Sequence, residues 1–251
     1  MSTAERSGRF DPARFLRRLG AVPEPAMRVA LWRECFEEAE PAALVAVVEA
    51  ALAAASDRGA DGAVGFLALA QCLDAIPALR GRLLVAATLA GSAPVLALLA
   101  DDPPMQVAEF DTLRPPPLGE DREITLGERR SWARRPDRDL IDRLLLDPDP
   151  LVIDNLLQNP RVVEADVLRV VSRRPASAEV LSLVFRHPRW GRRPAVQAAL
   201  LQNPFTPVEI AIGLVELVDL TVARRIAREP SIHPVVRGRA RARTRPRAGE
   251  G

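Results

Sequence analysis

The chain has 251 residues, 48% hydrophobic but only 4% aromatic, with no tyrosine. Ala, Leu and Val must therefore fill the interior, which favours close-packed helices and argues against a β-sandwich. All 35 basic residues are arginine and the net charge is only +2, so no single arginine singles out a phosphate site; the bias, with abundant Ala and Pro, matches the coding habit of a GC-rich bacterial genome.

The charge is unevenly placed. Residues 1–125 carry 12 Arg against 18 acids, and residues 126–251 carry 23 against 15. Such asymmetry marks the basic half for an acidic or nucleic-acid partner. "MSTAERSGRF" lacks the apolar run of a secretory signal, so a cytoplasmic location is expected. Cys35 and Cys72 both lie in apolar helical contexts and are expected as buried free thiols in a reducing compartment.

Residues 10–100 read as an N-terminal helical domain. Apolar positions recur at three- and four-residue spacing, with no strand-like alternation. Asp11-Pro12 is a helix cap followed by a first-turn proline. "PAMRVALWRECFEEAE", "PAALVAVVEAALAAAS" and "AVGFLALAQCLDAI" follow as helices. The glycines of "GADGAVG" at 59–65 are expected in an interhelical loop, because neither a preceding strand nor a Gly-Lys-Ser/Thr supports a phosphate loop. Leu83–Ala100 is uncharged for 18 residues. That length is marginal for a bilayer, and Gly91, Ser92 and Pro94 divide it into two short buried helices.

Residues 101–127 hold five prolines without helical periodicity and are expected to be a linker or an extended crossing segment. Beyond it, proline marks divide the chain into "DPDPLVIDNLLQNP", "RVVEADVLRVVSRRP", "ASAEVLSLVFRHP", "RWGRRPAVQAALLQNP", "FTPVEIAIGLVELV" and "DLTVARRIAREP". Each piece suits one short helix and a tight corner, and pairs of pieces repeat at roughly 26–30 residues, the sign of a stacked helical array. Asp147-Pro148 and Asp149-Pro150 are expected as cap-plus-proline starts, and Thr206-Pro207-Val208-Glu209 as a capping box. In the twice-used "LLQNP", Asn159 and Asn203 are expected to be structural: Asn accepts unusual helix-end angles and Pro forbids continuation.

"LLLDPDPLVIDNLLQNPRVVEADVLRVV" resembles the leucine-rich repeat variant, a bacterial relative of HEAT repeats. Asp147-Pro148-Asp149, Val152, Asn159-Pro160 and Val167-Leu168 take the marked places, and Val196, Asn203-Pro204 and Pro207 take them again in the later copy. The resemblance covers residues 126–237. It implies an all-α protein: a helical N-terminal block followed by a right-handed α-solenoid of short HEAT-like repeats over 128–237. It also implies a protein-interaction scaffold rather than an enzyme. Some members of that family hold an iron–sulfur centre, but two cysteines cannot supply four thiolates, and no cofactor is expected. DNA-cradling HEAT-like glycosylases keep nucleic acid as the alternative partner. The arginine-rich tail, 238–251, is expected to be disordered.

Catalytic spacing is sparse. His187 and His233 each precede a proline and are expected to cap helix ends. Asp137, Asp139 and Asp142 alternate with Arg135, Arg138 and Arg143, which suits a solvated ion-pair surface better than a metal site. Two arginine–tryptophan clusters stand out as candidate partner-binding residues: Arg130, Trp132, Arg134 and Arg135 near the start of the array, and Arg186, Arg189, Trp190, Arg192 and Arg193 at a corner carrying Gly191. Arg with Trp is a common hot-spot composition. The competing reading has each Trp plugging a repeat seam while the arginines solvate its rim.

Overall fold

The computed structural model describes residues 11–56, 60–100, 102–109, 113–115 and 124–245. Among them lie fifteen helices and no strand, so the protein is all-α. The first block comprises α1 (Pro12–Ala21), α2 (Pro25–Glu38), α3 (Pro41–Ser56), α4 (Ala60–Ala75), α5 (Pro77–Ala90) and α6 (Ala93–Leu98). Proline opens four of these helices, where its fixed φ suits the first turn and its missing N–H costs nothing. Asp11 accepts from the Ala13 amide at 2.9 Å, as the sequence suggests.

The expectation of a loop at 59–65 is corrected from Ala60 onward, and Gly59 lies outside the described residues. Gly62 and Gly65 sit inside α4, the central helix, which packs on α1, α2 and α3. A Cβ at position 62 would lie 2.4 Å from the Ala54 carbonyl oxygen, so glycine there permits a backbone-close crossing with α3. At position 65 the carbonyl accepts the Trp32 indole N–H at 2.9 Å. Further on, Gly91 adopts φ 64° and Ser92 caps α6, which splits the apolar run as anticipated. No single helix among the described residues is long and apolar enough to cross a membrane.

The second block comprises α7 (Leu126–Trp132), α8 (Arg138–Leu144), α9 (Pro150–Gln158), α10 (Glu164–Ser172), α11 (Ala178–Arg186), α12 (Pro194–Leu201), α13 (Val208–Leu217), α14 (Leu220–Ile226) and α15 (Pro234–Thr244). Each proline-bounded piece holds one helix. Besides touching chain neighbours, helices pack on the one two places away: α7 on α9, α9 on α11, α10 on α12, α13 on α15. The buried face of α9 shows the cause, since Val152, Ile153, Leu156 and Leu157 fall on one helical stripe.

Three local expectations change. Asp149 caps α9 through the amides of Leu151 and Val152, but Asp147 caps no helix: it is buried, bonded to the Asp149 amide at 3.0 Å and to Arg129 Nε at 2.7 Å. No capping box forms at Thr206, whose hydroxyl donates back to the Leu200 carbonyl at 2.7 Å. A box forms instead at Thr125 and Glu128, opening α7. Finally, the tail is helical as far as Thr244, because α15 packs on α13 and α14 and brings Arg239 to 2.6 Å from the buried Glu216. Residues 246–251 lie outside the described residues.

The Pro-rich stretch is non-helical where described up to Leu126, at which α7 begins, and its Gln106 amide bonds the Pro204 carbonyl at 3.0 Å, which ties it there to the second block. The two blocks also meet directly. α13 and α11 pack on α4, Gln71 Nε2 donates to the Phe185 carbonyl at 2.9 Å, and Arg186 pairs with Asp74 at 2.5 Å. One apolar core runs from Phe15 to Ala240. Cys35 and Cys72 are buried in it as free thiols.

Candidate interaction surface

The corners explain the repeated asparagine. Asn159 donates to the carbonyls of Ala133 at 2.9 Å and Arg135 at 2.8 Å, and accepts from the Arg161 amide at 3.0 Å. Asn203 repeats the pattern, donating to Val171 at 2.8 Å and Arg173 at 3.0 Å and accepting from the Phe205 amide at 3.0 Å. Helix C-termini leave such carbonyls without intrahelical donors, so each asparagine closes its own turn and satisfies the end of the helix two places back. Both are buried.

His187 makes a third corner of the same kind. Its Nδ1 accepts from the amides of Arg189 at 3.2 Å and Trp190 at 3.4 Å. Burial pushes its pKa down, which keeps the ring neutral and able to accept. His233 caps α15 through the Val235 amide at 3.3 Å. Both histidines therefore hold turns, as their Pro-preceding positions suggest.

These contacts set the helix ends in two rows. In one row Asn159 joins the end of α9 to that of α7, and the Trp190 indole joins the corner after α11 to the Leu157 carbonyl of α9 at 3.0 Å. In the other, Arg173 donates to the Leu146 carbonyl after α8, Arg174 donates to the Gln202 carbonyl at 2.7 Å, and Asn203 returns to α10.

The nine candidate residues play unequal parts. Trp190 is only 1% exposed, which corrects its reading as a contact residue: it fills the seam between α9 and α11. Its corner needs Gly191, since a Cβ there would stand 1.9 Å from the Phe185 carbonyl oxygen. Arg189 lies over the Trp190 ring, 4.1 Å from the centroid, a cation–π arrangement. Arg186 is tied to Asp74, and Arg193 approaches Glu164 at 3.8 Å. At the earlier corner Trp132 is half-buried, Arg130 approaches Asp149 at 3.6 Å, and Arg134 Nε donates to Asn155 at 3.0 Å. Arg134, Arg135, Arg189 and Arg192 present exposed guanidinium groups along the row, and Arg161, exposed on the corner between them, completes it.

The acids on and beneath α8 are committed to structure. Arg138 reaches Asp166 with two nitrogens, at 2.8 and 2.5 Å, and Asp142 sits between Arg138 and Arg169. These guanidinium groups hold the Asp142 carboxyl down at about 2, and Asp137 caps α8. No group of three or more His, Cys, Asp or Glu side chains is arranged to hold a metal among the described residues. Sequence reasoning missed the buried pair Glu216–Arg239, although an acid inside the apolar run "IAIGLVELV" signalled that a cation had to meet it.

Between the two blocks a cleft lined by Asp74, Arg80, Glu209 and apolar neighbours has room of about 10 Å³, near the threshold for one water molecule. Comparison of the chain with protein-family models, curated proteins and solved structures found no match. The fold itself defines the class: an all-α protein whose later helices stack two places apart through clamped corners.

Proposed function

We propose that α7–α15 form a right-handed α-solenoid of HEAT-like, leucine-rich-repeat-variant type, and that the protein is a non-enzymatic cytoplasmic scaffold binding an acidic protein partner. The observation that carries this reading is the row of clamped corners, which sets Arg134, Arg135, Arg161, Arg189 and Arg192 on adjacent turns of one edge. Neighbouring packed helices lie about 8–10 Å apart, the length of about three residues of extended chain. An acidic segment laid along the edge would meet a guanidinium at each corner. The same arginines support a second reading, nucleic-acid binding through phosphates. Trp190 is withdrawn into its seam beneath Arg189 and offers no stacking face for single-stranded bases, which favours the protein partner.

A photo-reactive residue placed at position 192 or 134 in producing cells tests both. The scaffold reading expects one protein crosslinked at both positions and lost when Arg161 and Arg189 are changed to Glu. Crosslinked nucleic acid would transfer the case to the second reading, and absence of any adduct at both positions would contradict both.

A further inference from the structure

Outside that edge, a groove of about 420 Å³ is lined by Thr221, Arg224, Arg225, Arg228 and Glu229, from α14 and the turn after it. The three arginines are exposed. Like the arginines of the edge, they lack the acid partners that hold Arg129 to Asp147, Arg138 to Asp166, Arg186 to Asp74 and Arg239 to Glu216, but they share one groove. Among the described residues no carboxylate lies within ion-pair distance of Arg224, Arg225 or Arg228. The one acid in the groove, Glu229, is turned to its own corner, where its Oε1 accepts from the Ser231 hydroxyl at 2.8 Å and the Ser231 amide at 3.3 Å. Those bonds, with the nearby charge of Arg174, hold its carboxyl below the usual range, so it stays ionised.

From these three guanidinium groups, set along one face of α14 and the turn after it, we infer that the groove is a binding site for a small phosphorylated ligand. The lining carries three guanidinium groups and one carboxylate that is turned away from them, an excess of positive charge, and a phosphate monoester carries about −1.5 to −2 at neutral pH. The planar fork of arginine matches phosphate oxygens two at a time, and the Thr221 hydroxyl offers a further donor at the rim. The volume falls in the range of small-molecule sites, about 300–1,000 Å³. The function differs from scaffolding: it would load the far end of the array with a ligand, on helices other than those bearing the arginine edge.

The test is calorimetric titration of the full chain with pyrophosphate at fixed salt. Binding is expected, with Arg224→Gln and Arg228→Gln each lowering affinity about tenfold or more, the loss of one charge-assisted hydrogen bond. Glu229→Gln should strengthen binding, Ser231→Ala should weaken it by freeing the carboxylate, and exposed Arg17→Gln should leave it unchanged. Circular dichroism checks that each variant folds. Affinity should fall toward acid pH, where the pyrophosphate takes up a proton and loses negative charge. Absence of binding, or equal weakening by Arg17→Gln, would overturn the site. Binding of a phosphoserine peptide without binding of pyrophosphate would overturn its assignment to a small ligand.

Discussion

Replacing Asn159 by Ala removes three hydrogen bonds at a buried corner: two donated to the Ala133 and Arg135 carbonyls and one accepted from the Arg161 amide. Each such bond contributes about 1 kcal/mol net, and the stranded polar groups add their own cost, so the loss should be about 3 kcal/mol. For a chain of this length that lowers the melting temperature by about 6–12 °C. Urea denaturation followed by far-ultraviolet circular dichroism reads it as a lower midpoint. Asn159→Asp sharpens the test, because it keeps the acceptor for Arg161 while aiming a carboxylate oxygen at two carbonyl oxygens. It should be at least as damaging as Ala. A loss under about 0.5 kcal/mol for Ala, the scale of an ordinary surface change, or a stable Asp variant, would refute the clamp.

The other corners make further predictions. Gly191→Ala forces a Cβ to within 1.9 Å of the Phe185 carbonyl oxygen, and the corner must open at a cost of about 3 kcal/mol or more; an unchanged urea midpoint would contradict the packing. His187 is held below its ordinary pKa by burial, so the unfolded chain takes up its proton first. Its contribution is complete above the ordinary value of 6.5 and is lost as pH falls through the lowered folded value. His187→Asn, which can make the same turn as Asn159, should retain stability at neutral pH and flatten that acid-side slope. Burial pushes the Cys35 thiol up to about 12 and the Cys72 thiol up to about 11. At pH 8 neither should react with a thiol reagent until the protein unfolds, when both should; immediate labelling of the native chain would contradict their burial.

Helix content and order were legible because proline and aspartate mark helix starts chemically. Asp11, Asp149 and the prolines after them act locally, and local rules suffice there. Position 62 is ambiguous in sequence because glycine signals both a loop and a close helix crossing, and only the partner, Ala54, distinguishes them. Asp147 has the sequence appearance of a cap, yet Arg129, 18 positions earlier, draws it inward. Tertiary pairing likewise orders the start of the arginine-rich tail: Glu216 needs a cation, and Arg239 supplies it from a segment whose composition alone suggests disorder. For the interaction surface, the arginines were visible in sequence but their division was not. Trp190 and Arg189 are neighbours in the chain, and the structure buries one beneath the other.

The central claim is that the helices form one array whose tryptophan seam is internal. Hydrogen exchange of the three tryptophan indole N–H groups, read by nitrogen-15 NMR, tests it most directly. Trp32 donates to the Gly65 carbonyl and Trp190 to the Leu157 carbonyl, both from buried rings, whereas Trp132 is half-buried. Two slowly exchanging indole signals, assigned to Trp32 and Trp190, and one fast signal from Trp132 are expected. A Trp190 indole that exchanges as fast as that of Trp132 would contradict the stacked corner and the array built upon it.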